Sequence, residues 1–201
     1  MIGPTAELLK AGAEAIDTVD CAAVDAAVAT IADCATRGGQ VWIAGNGGSA
    51  STASHLAGDL AKGGSPPGVP PVRATCLNDN VTLLTALVND VGWEEVFSYQ
   101  LARRADRGDV FVAISVHGGA GREDAGAWSQ NLVRAITVAG AAGCATIGLS
   151  GFDGGVFGAA CDVHLWVRAH STPVVESVHL LLAHAIADGL RRRAATGGER
   201  D

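Results

Sequence analysis

Two kinds of apolar segment alternate along the chain. Residues 6 to 18 and 22 to 37 place Leu8, Leu9, Ala13 and Ile16, then Val24, Val28, Ile31 and Ala32, at helical spacing. With a polar break from Asp17 to Asp20 between them, they predict two opening helices. After Gly38 and Gly39, Val41-Trp42-Ile43-Ala44 is continuously apolar and ends at a glycine, which marks a strand buried on both faces. Four further runs repeat that form: Arg73 to Leu77, Val110 to Ile114, Ala145 to Leu149 and Val163 to Val167. Helices are predicted between and after them, at Ser49 to Lys62, Val81 to Val88, Glu94 to Arg104, Ser129 to Ala142 and Pro173 to Arg193. Strands alternating with helices predict an α/β fold whose parallel sheet is covered on both faces. Ligands in such sheets lie outside the carboxyl ends of the strands. The loops after Ala44, Leu77, Ile114 and Leu149 are therefore the ones to search.

Composition narrows the picture. The 201 residues are 48% hydrophobic but only 4% aromatic, which predicts a closely packed core of Ala, Val, Leu and Ile and excludes a disordered chain or a disulfide scaffold. A net charge of -7 with no basic stripe argues against binding nucleic acid through its phosphates. The five cysteines (Cys21, Cys34, Cys76, Cys144 and Cys161) are odd in number and scattered, so they read as buried free thiols in a reducing compartment. Met1 to Pro4 carries no basic or apolar leader, and no export is expected. The most apolar stretch, Leu132 to Phe152, is interrupted by Arg134 and by Gly140, Gly143, Gly148 and Gly151, so it predicts a helix followed by a buried strand rather than a membrane span. The expectation is a soluble cytoplasmic protein with no membrane partner. Its organisation reads as a helical extension at 1–37, packing on the domain or on another subunit, one α/β domain at 38–196, and a frayed tail at 197–201.

The first strand-end loop is Gly45-Asn46-Gly47-Gly48-Ser49-Ala50-Ser51. Glycines let a backbone approach a ligand, and the first turn of the following helix suits an anion. The loop matches neither a P-loop nor a dinucleotide fingerprint, and a tight turn capped by Ser49 accounts for it equally well. His55 and Asp59, four apart, share a helical face. Such a pair is either a solvated polar surface or, beside an anion loop, a device for proton transfer or metal binding. His179, in an apolar run, reads as a core histidine; His164 and His170 show no partner pattern.

Taken in order, Gly45-Asn46-Gly47-Gly48-Ser49 with His55 and Asp59, Ala86-Leu87-Val88-Asn89-Asp90, Ala113-Ile114-Ser115, and Glu176-Ser177-Val178-His179 with His184 resemble the SIS-domain phosphoheptose isomerases. The likeness spans nearly the whole chain. It implies a three-layer αβα sandwich of the flavodoxin-like kind with a five-stranded parallel sheet and N-terminal helices. It also implies a homotetramer with active sites at subunit contacts. The implied activity is aldose–ketose isomerisation of sedoheptulose 7-phosphate to a D-glycero-heptose 7-phosphate, the D-glycero-D-manno epimer, through an enediol. By the same resemblance Asn46, Gly47, Gly48 and Ser49 belong to a sugar-phosphate loop. Asn89 and Asp90 form a second substrate-contacting pair, and Ser115 opens the phosphate loop. His55, Asp59, Glu176 and His184 match a site for a divalent metal, zinc by expectation. Asp59 and His184 serve also as base and acid, and Glu176 contacts substrate too.

Three departures accompany the likeness. The family commonly has Glu where this chain has Asp59, and Gln where it has Glu176. Its Ser-Thr-Ser-Gly-Asn-Ser is replaced by Ser115-Val116-His117-Gly118-Gly119-Ala120-Gly121, with extra residues before the next helix. His117, Arg122 or Ser129 are the candidates to replace the lost hydroxyls, an arginine being suited to a bidentate grip. The insertion reads equally as a surface lid or subunit contact. Glu176 and His184 lie eight residues apart, roughly 12 Å on an ideal helix, so either Glu176 sits before or at the helix start or the two act from different subunits. A non-catalytic SIS protein that senses a sugar phosphate or binds a replication initiator is the competing reading. An isomerase with a different product epimer is a third.

Overall fold

The computed structural model describes residues 3–63, 71–119 and 128–196. Two helices open the chain, α1 (Pro4–Ile16) and α2 (Cys21–Thr36), started by Pro4 in the first turn and by Asp20, whose side chain accepts from the Ala22 amide. There follow β1 (Gln40–Gly45), α3 (Gly48–Lys62), β2 (Arg73–Cys76), α4 (Val81–Asp90), a 3-10 turn at Trp93–Glu95, α5 (Ser98–Leu101) and β3 (Val110–Ile114). The last part comprises α6 (Gln130–Ala142), β4 (Ala145–Ser150), α7 (Phe157–Ala160), β5 (Val163–Trp166) and α8 (Thr172–Thr196). All five expected strands form, and they pair in parallel in the order β2-β1-β3-β4-β5. This is the flavodoxin-like order, whose direction of winding reverses between β1 and β3.

Continuous apolar strands serve two cores because successive side chains point to opposite faces. Val41, Ile43, Val110, Val112 and Ile114 join Ile31, Leu56, Val175 and Ile186 on the α2, α3 and α8 side. Trp42, Ala44, Phe111 and Ala113 join Leu87, Phe97, Leu132 and Ile136 on the α4 to α6 side. The stretch Leu132 to Phe152 resolves into α6 and β4 as expected. Among the described residues no helix is long and apolar enough to cross a membrane.

Other expectations need correction. The helix expected from Glu94 to Arg104 is broken into the 3-10 turn and the single turn of α5. Ser98 Oγ donates to Glu95, and the buried Gln100 amide spends its protons on the Leu77 and Val96 carbonyls, so side chains take over acceptors that a continuous helix would use. The short α7 was missed, having too few residues to show a period. Cys34, Cys76 and Cys144 are buried and Cys161 half-buried, but Cys21 is exposed at the start of α2. Both opening helices pack on α8, and α2 also reaches β5. Leu8, Leu9 and Ile16 of α1 remain exposed.

Candidate active site

The reversal between β1 and β3 sets the loops after these two strands side by side, and the polar residues of the chain gather there. The backbone of Gly47 has φ 57° and ψ -125°, open to glycine at little cost, and this turns the chain out of β1 into α3. Gly47 is the N-cap and no side chain caps the helix; Ser49 is buried in the first turn instead of capping it. Asn46 and Asn131 exchange reciprocal amide hydrogen bonds of 2.9 and 3.0 Å. Ser129, just before α6, lies 3.1 Å from Ser115 through the two hydroxyls and 3.5 Å from the Asn46 amide. Ser129 is held at φ 54°, a left-handed conformation that costs a serine energy and is characteristic of functional sites. The longer connection after Ser115 thus returns a second hydroxyl to the end of β3. On the other side of Asn46, Asn78 clasps Gly45 by both its amide groups. Asn78 and Asn131 escaped the sequence reading, since a lone asparagine beside a strand or within a first helical turn carries no periodic signal.

His117, one of the candidates to replace the lost hydroxyls, is set among aromatic rings. Its ring packs edge-on against Trp128 at 4.5 Å and beside Phe152 at 4.3 Å, and burial lowers its pKa from the usual histidine value. Arg122, with the rest of 120–127, lies outside the described residues. Asn89 and Asp90 are exposed at the end of α4 and bonded to each other, on a helix that packs against the 3-10 turn.

The second feature lies along α3. This helix packs beside α8, and the two run parallel: Glu176 meets Gly48, and further along both helices His184 meets Asp59. Asp59 Oδ2 is 3.4 Å from His55 Nε2 and 3.2 Å from His184 Nδ1, and the two imidazoles stand edge to face at 4.7 Å. The three side chains are 25–51% exposed, and His55 and Asp59 line an open hollow together with Ser51, Ser54, Gly58 and Lys62. One donor atom from each lies within 4.8 Å of the others. Two imidazole nitrogens and a carboxylate oxygen are a donor set that suits a divalent transition ion.

Within the single chain Glu176 does not join this group, which leaves the four-residue set the resemblance implied to a meeting across subunits. It is one turn inside α8 and not at or before its start, so the rise of a continuous helix separates it from His184 by about 12 Å. Its carboxylate lies instead against Gly48, where an added Cβ would overlap it.

His179 is buried, as expected of a core histidine, but poorly satisfied: neither ring nitrogen makes a hydrogen bond of good geometry, and a contact with the Ser150 backbone offsets its burial only in part. Desolvation pushes its pKa down to about 4, whereas the unfolded imidazole titrates near 6.5. Between those values the unfolded chain holds a proton that the folded chain refuses, so stability falls as pH drops from about 6.5 to 4. At roughly 1.4 kcal/mol per unit, His179 accounts for about 3 kcal/mol of acid destabilisation. His179→Leu is expected to flatten the pH dependence of urea midpoints across that window, and an unchanged slope would place the acid sensitivity elsewhere.

Comparison with known proteins identifies the family. The SIS domain family model matches residues 7–151. A phosphoheptose isomerase from Helicobacter hepaticus is 35% identical over 169 residues, covering 81% of this chain and 78% of that protein. The chain belongs to the SIS-domain phosphoheptose isomerases. A solved phosphoheptose isomerase from Neisseria gonorrhoeae superposes on this family member with a TM-score of 0.79 at 32% identity, over 92% of this chain and 94% of the other. A lincomycin biosynthesis protein of Streptomyces lincolnensis is 41% identical over 153 residues. That match covers 74% of the chain and only 54% of the longer relative.

Proposed function

We propose that the protein is an aldose–ketose isomerase that converts sedoheptulose 7-phosphate to D-glycero-D-manno-heptose 7-phosphate through an enediol. The observation that carries this reading is the meeting of Asp59 with His55 and His184 from two parallel helices, beside the hydroxyl and amide cluster at the strand ends. The phosphate is held by Ser115 and Ser129, and the sugar hydroxyls by Asn46 and its neighbours. Both imidazole contacts fall on Asp59 Oδ2, which leaves Oδ1 to carry the proton between C1 and C2. His184 exchanges the proton at the oxygens, so that charge does not build up on the enediol. His55, Asp59 and His184 hold a divalent ion, zinc by its taste for imidazole, and three protein ligands are the count of a catalytic zinc. A divalent ion held by these residues would supply Lewis acidity at the substrate carbonyl. A non-catalytic sensor has no use for this ionisable group.

The functional unit we propose is a cytoplasmic homotetramer. In it Asn89 and Asp90 serve the site of a neighbouring subunit. Exposed Leu180 and Leu181 of α8, next to His184, supply apolar surface for such a contact. A light-scattering mass equal to one chain would count against it.

Incubation with sedoheptulose 7-phosphate, followed by NMR with and without a chelator, tests the reaction, the product epimer and the need for metal together. Ketose is expected to disappear in favour of an aldose, with the rate falling at least about tenfold on chelation. An inert protein, with metal supplied, would overturn the assignment. The kinship with a lincomycin biosynthesis protein gives the configuration at C2 of the product particular weight.

A further inference from the structure

The hydroxyl pair at the end of β3 is reached by a buried residue only through another side chain. Asn131, in the first turn of α6, is 1% exposed and exchanges two amide hydrogen bonds with Asn46. The terminal torsion of an asparagine is two-fold, so an unguided amide lies either way round. Here the choice is fixed. The Leu132 backbone amide donates to Asn131 Oδ1 at 2.9 Å, a bond that only the oxygen of that side chain accepts. Asn131 Nδ2 is thereby set to donate to Asn46 Oδ1 at 3.0 Å, while Asn46 Nδ2 donates to Asn131 Oδ1 at 2.9 Å. The Asn46 amide in turn keeps its nitrogen toward Ser129, 3.5 Å from the hydroxyl. With that amide reversed, a carbonyl would stand there and draw the Ser129 proton inward.

We infer that Asn131 is a positioning residue that, through Asn46, orients the Ser115 and Ser129 hydroxyls so that a proton is presented to the phosphate. Ser129 accepts from Asn46 and shares one hydrogen bond with Ser115 at 3.1 Å. The pair carries two hydroxyl protons and spends one between its members, which leaves the other for a ligand. A phosphate accepts hydrogen bonds from such a proton and gains nothing from a hydroxyl turned inward. This role rests on the reading of Ser115 and Ser129 as the phosphate site. Asn131 itself, being buried, meets no substrate atom.

The test is titration of the full chain with inorganic phosphate, followed by phosphorus NMR, in a double-mutant cycle. Ser129→Ala and Asn131→Ala are each expected to weaken phosphate about tenfold, as the loss of a hydrogen bond to a charged group does. Adding Asn131→Ala to Ser129→Ala should cost less than about twofold more, since no Ser129 proton is left to direct. Asn131→Ser, which cannot bridge to Asn46 with two bonds but stays polar, repeats the cycle if thermal melts show that the alanine variant has lost its fold. With sedoheptulose 7-phosphate, KM should rise about tenfold in either Asn131 variant while kcat stays within about twofold, a split that a general loosening of the site would not produce. If the Asn131 variants leave phosphate affinity unchanged, or cost as much without Ser129 as with it, the positioning role falls and the isomerase reading stands. If Ser129→Ala binds phosphate like its parent, the phosphate reading and the role of Asn131 fall together. A parent that turns over no sedoheptulose 7-phosphate would remove the isomerase reading and leave the phosphate cycle to decide the role of Asn131 by itself.

Discussion

Asp59→Asn is expected to cut turnover of sedoheptulose 7-phosphate by about a thousandfold or more, while the sugar phosphate still binds. Asparagine matches aspartate in size, so the packing of α3 on α8 survives. Its amide oxygen is far too weak a base to take the proton, and it lacks the charge that draws His55 and His184 together. A positioned proton-transfer group contributes about 10²–10⁴ to a rate, and loss of a metal ligand adds to that. On the proposed reading the phosphate is gripped elsewhere, at Ser115 and Ser129, whose hydroxyls meet at the end of β3. The loss should therefore fall on kcat with KM little changed, the pattern of an interaction made in the transition state. Steady-state kinetics followed by NMR decide the matter, and undiminished kcat in the variant would strike Asp59 from the mechanism.

The largest structural effect is expected far from the site, at the other end of the sheet. Asp109 is buried, and its carboxylate accepts from the Gln40 amide at 2.8 Å, from Trp42 Nε1 at 2.9 Å and from the Asp106 amide at 3.0 Å. These bonds lock the start of β1 to the turn that leads into β3. Asp109→Ala leaves three donors without their acceptor, one of them on a buried tryptophan. Bonds to a charged acceptor are worth about 1.5–3 kcal/mol each, and part of that returns as water enters. A net loss of about 4 kcal/mol is expected, which for a chain of this size lowers Tm by roughly 10 °C. Asp109→Asn, keeping one acceptor oxygen, should fall between the two, and an alanine variant that melts like the parent would deny Asp109 this role.

Much of this molecule is legible in its sequence, for reasons that particular segments make plain. Val41-Trp42-Ile43-Ala44 could be assigned as a doubly buried strand because each face of the sheet meets helices, so no position needs to be polar. His55 and Asp59 could be paired because a helix sets residues four apart on one face. Gln100 and Ser98 defeated the same reasoning. Their side chains take backbone acceptors, and the helix expected across them stops. Glu176 was grouped with His184 by resemblance, and a single continuous α8 separates the two.

What the chain alone determined is local in origin: the five strands, most of the helices, the loops worth searching, and the His55–Asp59 pair. Periodicity reports which face of an element is apolar, and that is enough to choose the element and its layer. The tertiary structure decided which faces meet. It brought His184 onto Asp59 through the parallel packing of α3 and α8, Ser129 onto Ser115 across an insertion, and the Glu176 carboxylate onto Gly48. These contacts join residues remote in sequence, and they depend on crossing angles and on the depth of side-chain packing, which no spacing along one element encodes.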